Sequence, residues 1–203
     1  MPSASGAAMS RQTAPSHAAK SSTPPVQTSV NVTTSLVSLI DAPPSAVWDA
    51  VIAFPPLPPP SELVFRLGIA YPVRARLEGT GVGAVRFCEF STGAFVEPIT
   101  VWEPGRRLAF TVAEHPRPLT EWSPWREVVP PHLDHYFRSR RGEFRLVALP
   151  DGRTRLEGST WYDLRIAPVA YWSLFADAIV HRIHGRVLEH VKVVAEGGRA
   201  ASR

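Results

Sequence analysis

The last long stretch of the chain, residues 168–196, reads PVAYWSLFADAIVHRIHGRVLEHVKVVAE. It contains no proline after its first residue, and its apolar side chains recur at helical spacing. On a helix, one face of this stretch carries Trp172, Ala176, Ile179, Ile183, His190 and Val194. We therefore predict one long amphipathic C-terminal helix whose apolar stripe packs against a sheet.

The chain before this helix alternates apolar and polar residues in short runs that end at turns. Residues 30–40 are the first such run and predict a strand that ends at Asp41. The prolines at 43–44 and 55–60 bound a predicted helix over 44–53, and a second short helix is predicted at about 61–67. The remaining strands are predicted at 71–78, 82–90, 94–102, 107–114, 136–149 and 153–166.

These elements predict an α+β fold in which a curved antiparallel sheet of about seven strands wraps around the C-terminal helix, with two short helices after the first strand. Such a sheet encloses a cavity between itself and the helix. We expect one domain over 29–196. Residues 1–28 are mostly small and polar, which predicts a disordered tail, and a flexible tail is expected over 197–203.

The composition of the 203 residues argues against several kinds of protein. Cys88 is the only cysteine, so no internal disulfide can form, which favours the reducing cytoplasm of a bacterial cell. The net charge of +4 comes from scattered arginines, without the basic stripe of a nucleic-acid-binding protein. No run approaches the roughly 20 apolar residues of a membrane span, so no stable membrane insertion is expected.

The three histidines of the predicted helix are His181, His184 and His190. No carboxylate or further histidine completes a tight cluster with them, so they are interpreted as polar helix positions and no metal site is expected. The sequence contains neither a catalytic triad nor a nucleotide-binding loop, and no cofactor is expected.

Four short motifs resemble the SRPBCC superfamily, which has the START-like helix-grip fold and includes the polyketide cyclase/dehydrase-like proteins. They are IDAPPSAVW at 40–48, GVGAVR at 81–86, WEPGRRLAF at 102–110 and GRTRL at 152–156. The resemblance covers about 30–196. It implies the element order β-α-α-β-β-β-β-β-β-α and an internal hydrophobic cavity, and it implies no particular catalytic residues because the superfamily has no shared catalytic motif.

Two charged residues lie within apolar runs of neighbouring predicted strands. Arg86 follows Ala84 and precedes Cys88 on one face, and Glu97 lies between Phe95 and Ile99. A short turn at 91–93 joins the two strands, which allows the two side chains to pair. Burying either charge alone costs several kcal/mol, so a paired or a solvated state is expected. The two residues are interpreted either as a polar ligand anchor or acid/base group inside the cavity, or as a structural ion pair or part of an exposed face.

The same strand and helix alternation predicts the rest of a ligand-binding wall. Its residues are Phe110, Phe144 and Tyr162 from strands, and Trp172, Phe175, Ile179 and Ile183 from the helix. Tyr162 is interpreted as a hydrogen-bond donor to the ligand or as a core tyrosine. The proline-rich loop at 115–131, which contains Trp122 and Trp125, is predicted to be a lid or mouth element, or a loop held on the surface by its aromatic residues.

Three functions remain open from the sequence. The first is binding of a small hydrophobic molecule, lipid-like or polyketide-like, in the internal cavity. The second is an enzyme of the polyketide cyclase/dehydrase type. The third is a protein-interaction domain, as in chaperone-activating proteins of this fold, for which a collapsed cavity and a large exposed apolar patch are expected. The absence of a catalytic constellation favours the first, and the oligomeric state stays open.

Overall fold

The predicted element order is the one found in the structure, a computed structural model that describes residues 30–120 and 136–200. The strands are β1 (Val30–Ile40), β2 (Pro72–Glu78), β3 (Val85–Phe90), β4 (Gly93–Glu103), β5 (Arg107–Thr111), β6 (Phe137–Ala148) and β7 (Thr154–Leu164). The helices are α1 (Pro44–Ala53), α2 (Leu63–Arg66) and α3 (Val169–Ala200).

The strands described form one antiparallel sheet in the order β1-β7-β6-β5-β4-β3-β2. Strand β1 has the predicted bounds. Strand β3 begins at Val85 rather than at residue 82, because Gly81 and Gly83 adopt positive φ and continue the turn. Strand β5 ends at Thr111 rather than at residue 114, because Ala113 donates its backbone N–H to Val96 on β4 instead of continuing along β6.

Helix α3 lies across the inner face of the sheet and completes the core. Its Leu188 and Val191 are buried with Leu108 on β5 and Leu156 on β7, each at most 2% exposed. The Thr34 hydroxyl on β1 donates a hydrogen bond to the Asp177 carboxylate of the helix. Burial of apolar side chains between helix and sheet is the main stabilising term for such an architecture.

The prolines of residues 55–60 run along α3 and are held there by polar contacts. Arg186 donates through Nη2 to the Pro58 carbonyl at 2.8 Å and through Nη1 to Glu62 at 3.1 Å. His190 donates through Nε2 to the Pro55 carbonyl at 2.8 Å. The connection between α1 and α2 is therefore fixed to the C-terminal helix, and His190 serves this contact.

Helix α3 extends to Ala200, so part of the segment expected to be a flexible tail is helical. The predicted N-terminal tail lies outside the described residues, and so does the part of the proline-rich loop that contains Trp122 and Trp125. Within the described ranges, no helix is both long and apolar enough to cross a membrane.

Candidate functional site

Arg86 and Glu97 form a buried ion pair on the inner face of the sheet. The two residues stand directly opposite each other in the β3–β4 register, and each is 5% exposed. Arg86 Nη1 donates to Glu97 Oε2. Burial raises the pKa of the Glu97 carboxyl, and the neighbouring guanidinium opposes that rise. Of the paired and solvated states expected from the sequence, the structure has the paired one.

The guanidinium of Arg86 is surrounded by aromatic rings. Its central carbon lies 5.5 Å from the ring centroid of Phe54, 5.4 Å from that of Phe110 and 5.7 Å from that of Phe144. These distances are within the range of cation–π attraction. Arg86 Nε is buried without a hydrogen-bond partner among the described residues. The guanidinium therefore has one N–H donor that Glu97 does not accept from.

The ion pair lies on the wall of a cavity of about 120 Å³ between the sheet and α3, which we call the inner chamber. Gly142 and Gly158 form part of its wall on β6 and β7, where the absence of side chains lets Phe110 and Leu188 pack closely against the backbone. The other lining residues from the sheet include Cys88, Phe110, Phe144 and Thr160, and those from α3 are Val180, Ile183, His184, Val187 and Leu188. Burial raises the pKa of the Cys88 thiol to about 12.

His184 adds a polar group on the helix side of the inner chamber. Its Nε2 is 2.8 Å from Thr160 Oγ1, and its Nδ1 is buried without a partner among the described residues. Burial lowers the pKa of His184 to about 4, with a further lowering by His181 and an opposing effect of Asp177. The imidazole is therefore uncharged near neutral pH.

From the sequence, His184 was interpreted as a polar helix position and not as a metal ligand, and its place on the cavity wall was not predicted. A signal was available, because His184 lies on the same helix face as Val180, Val187 and Leu188 at spacings of four, three and four residues. A polar side chain within an otherwise apolar line of a helix is a candidate for a buried polar contact.

A second cavity of about 330 Å³, the outer chamber, adjoins the inner one. The two chambers share the lining residues Phe90, Phe95, Phe137, Val180 and Ile183. The outer chamber is otherwise lined mostly by apolar side chains, including Leu164, Ile166 and Trp172, and reaches the surface at Phe175, which is 51% exposed. The arrangement is a polar inner end joined to an apolar outer space.

The start of the proline-rich loop contributes to the outer chamber through His115, Pro116, Pro118 and Leu119. The His115 ring packs edge-on against Phe95 with centroids 5.7 Å apart. Burial lowers the pKa of His115, and the nearby Arg138 and Arg140 lower it further. The described part of this loop thus forms part of the wall of the outer chamber.

Most residues that the sequence predicted as ligand-binding line the two chambers. Arg86, Glu97, Phe110 and Phe144 line the inner chamber, Trp172, Phe175 and Ile179 line the outer chamber, and Ile183 lines both. Tyr162 lines neither chamber. It is 1% exposed in a separate apolar cluster, where its ring lies 4.7 Å from that of Phe137, so its position is that of a core tyrosine.

The apolar stripe predicted for α3 requires a correction. The most buried line of the helix runs through Val180, Val187, Leu188, Val191 and Ala195. At about 100° per residue, the predicted stripe through Trp172, Ile179 and Ile183 is rotated about the helix axis by roughly a quarter of a turn from these buried residues. The buried residues pack on the sheet, whereas the predicted stripe faces the outer chamber.

No family model matches the sequence, and no curated protein matches it. Several solved structures are similar. The Zhui aromatase/cyclase from a Streptomyces species is 16% identical with a TM-score of 0.53, over 82% of this chain and 94% of that one. A structural-genomics protein from Nitrosomonas europaea is 14% identical with a TM-score of 0.50, over 83% of this chain and 96% of that one.

A third similar structure is XoxI from Bacillus cereus, 15% identical with a TM-score of 0.50, over 79% of this chain and 92% of that one. At such identities the likeness concerns the fold and not the activity. The likeness extends over nearly the whole length of each of these proteins, and it agrees with the sheet order and the position of α3 described above. The chain has the helix-grip fold of these structures, an antiparallel sheet wrapped around a long C-terminal helix.

Proposed function

We propose that the chain binds a small hydrophobic molecule, lipid-like or polyketide-like, whose polar end lies beside Arg86 and Glu97. The observation that carries this proposal is the buried Arg86–Glu97 pair on the wall of an otherwise largely apolar cavity. Ligand sites in proteins have this composition, with apolar walls and a few polar groups that fix orientation.

The volumes of the two chambers support a single orientation of the bound ligand. Ligand pockets are typically roughly 300–1,000 Å³. The outer chamber, at about 330 Å³, falls within this range, whereas the inner chamber, at about 120 Å³, has room for only one end of a molecule. The apolar body of the ligand would thus occupy the outer chamber and its polar end the inner one.

The energetics of the ion pair also favour a functional role. A buried ion pair is often no more stabilising than apolar side chains of the same volume, because both charges lose their hydration. Arg86 Nε has no partner among the described residues, which adds to this cost. A ligand that accepts a hydrogen bond there would compensate it.

The experiment that tests the proposal combines native mass spectrometry with displacement of anilinonaphthalene sulfonate fluorescence by lipids and polyphenols. Ile183→Trp fills the junction between the chambers and is expected to reduce binding at least about 10-fold, since the added ring occupies the volume of the ligand. The matched control is Val193→Trp, at a position of the same helix that is 58% exposed.

Equal binding by the two tryptophan variants would exclude the two chambers as the site. Wild-type protein that carries no co-purifying molecule and binds nothing in the screen would contradict the proposed function itself. The protein-interaction alternative is less favoured, because it predicted a collapsed cavity and the described residues enclose two open chambers.

A second candidate function is an enzyme of the cyclase/dehydrase type. The observation that favours it is the presence of Glu97 and His184, two proton-exchanging side chains, on the wall of one chamber. The test is to identify the small molecules extracted from wild-type protein and from Glu97→Gln. If the protein is an enzyme, we expect a product from wild type and an unconverted substrate from the variant. If it is a binding protein, we expect the same molecule from both.

A further inference from the structure

The unpartnered nitrogen of His184 indicates a second polar contact in the inner chamber, and this inference rests on the proposed ligand binding. Nε2 of the imidazole lies 2.8 Å from the Thr160 hydroxyl, whereas Nδ1 is buried without a hydrogen-bond partner among the described residues. Such atoms are rare in folded proteins, because an unmade hydrogen bond costs about 1–3 kcal/mol.

The direction of the hydrogen bond with Thr160 decides which nitrogen of His184 carries the proton. A neutral imidazole has one N–H and one acceptor nitrogen, and a threonine hydroxyl has a single proton to donate. The hydrogen bond found for the Thr160 side chain within the described ranges is the one to His184 Nε2. When Thr160 donates there, its proton is satisfied, Nε2 is the acceptor and the proton of the imidazole is on Nδ1.

With this tautomer, two buried N–H donors on residues that line the chamber have no acceptor among the described residues, Arg86 Nε–H and His184 Nδ1–H. Glu97 accepts from Arg86 Nη1 and neutralises the guanidinium, and His184 is uncharged. A carboxylate in the ligand would add an uncompensated buried charge, which is unfavourable. A neutral acceptor oxygen satisfies a donor without this cost.

We propose that His184 Nδ1–H donates a hydrogen bond to a carbonyl oxygen at the leading end of the bound molecule, and that Thr160 holds the imidazole in the required tautomer. His184 is in this respect a specificity-determining residue and Thr160 a positioning residue. The ligand class is an apolar molecule with a neutral ketone, aldehyde or ester group at one end.

Three naphthalene probes of similar size test the proposal on the full-length protein: acetylnaphthalene, ethylnaphthalene and naphthoate. Acetylnaphthalene can accept a hydrogen bond and ethylnaphthalene cannot, so acetylnaphthalene is expected to bind about 5-fold more tightly. It is also expected to bind more tightly than naphthoate. His184→Phe and Thr160→Val should each reduce the preference for the ketone to about 2-fold or less, with little change for ethylnaphthalene. His181→Gln, at an exposed histidine of the same helix, should leave the preference unchanged.

Nitrogen NMR of the imidazole gives a readout that a purely structural role would not change. The protonated nitrogen is expected to be Nδ1 in wild-type protein, and its resonance should move with acetylnaphthalene but not with ethylnaphthalene. In Thr160→Val the imidazole should lose its preference for this tautomer.

The outcomes separate the two proposals. Wild-type protein that binds none of the probes would contradict the proposed ligand binding. Binding of ethylnaphthalene without a preference for acetylnaphthalene, or a preference that survives His184→Phe, would leave ligand binding intact and overturn the role of His184. Tighter binding of naphthoate than of acetylnaphthalene would overturn the neutral ligand class.

Discussion

The ring of Phe110 lies directly against the backbone of Gly142 on the neighbouring strand. A Cβ atom built at residue 142 would stand 2.5 Å from Phe110 Cζ, closer than real Cβ contacts come. The two residues face each other in the β5–β6 register, and both line the inner chamber. The glycine therefore sets the position of the Phe110 ring, and with it one wall of the chamber.

Gly142→Ala is expected to push the Phe110 ring away from β6 and to reduce the space of the inner chamber. Overpacking of this kind costs about 1–3 kcal/mol, which urea unfolding would measure. Gly197→Ala is the control, because a Cβ there meets nothing within 4 Å and alanine is the better helix former. Equal stability of Gly142→Ala and wild type would show that the ring adjusts without cost.

Removal of one partner of the Arg86–Glu97 pair is expected to destabilise the protein more than removal of both. Arg86→Met leaves Glu97 buried without its counter-charge, a loss of about 3–5 kcal/mol, whereas the double variant Arg86→Met/Glu97→Met recovers part of it. Urea unfolding of the two single variants and the double variant measures the coupling between the residues. Additive losses would mean that the two charges are stabilised independently.

The stability of Arg86→Met should also depend on pH in a defined direction. Burial raises the folded-state pKa of Glu97 above its ordinary value of 4.5, and loss of the guanidinium raises it further. The folded state then binds more protons than the unfolded state, so stability falls as the pH rises through this range. The deficit relative to wild type is expected to be smallest in acid and largest near neutral pH, as measured by urea unfolding at several pH values.

His184 produces a pH dependence of the opposite sign. Its folded-state pKa is about 4, below the ordinary 6.5, so between these values the unfolded state binds more protons. The stability contribution is therefore complete above pH 6.5 and is lost as the pH falls towards 4, by up to about 3 kcal/mol. In His184→Phe, the free energy of unfolding, measured by urea unfolding, should change less with pH in this interval. An unchanged slope would mean that other groups, among them His115, cause the pH dependence.

Cys88 is expected to react slowly with thiol reagents in the folded protein. It is 6% exposed, and burial raises its pKa to about 12, so the reactive thiolate is scarce at neutral pH. The reaction rate should increase strongly in urea concentrations that unfold the chain. Because Cys88 lines the inner chamber, an occupying molecule should slow the reaction further.

The strands and the ion pair were predictable because each depends on local sequence. Residues 30–40 place Val30, Val32, Leu36 and Ile40 on one face and end shortly before the prolines at 43–44, and the strand there has the predicted bounds. The nearness of Arg86 and Glu97 followed from the short turn that joins their strands. The register depends on the length of that turn: the predicted turn at 91–93 would place Arg86 opposite Pro98, whereas in the structure Phe90 pairs with Gly93 and Arg86 stands opposite Glu97. The ends of β3 and β5 were less predictable, since they depend on positive φ at glycines and on a contact with β4.

The orientation of α3 and the role of His184 depended on information that the helix sequence does not contain. An apolar line on a helix indicates a buried face but not which surface covers it. Here Ile179 and Ile183 face the outer chamber, whereas Val187 and Val191 face the sheet. His184 acquires its role from Thr160 on β7, a contact that arises only after the chain has folded.

The serial arrangement of the two chambers has a consequence for binding rates. A molecule that enters past Phe175 would lose its water in the apolar outer chamber before it meets Arg86 or His184. Molecules of similar shape are then expected to enter at similar rates, whatever polar group they carry. Discrimination among them would appear in the time each remains bound, because the inner contacts are broken only on departure.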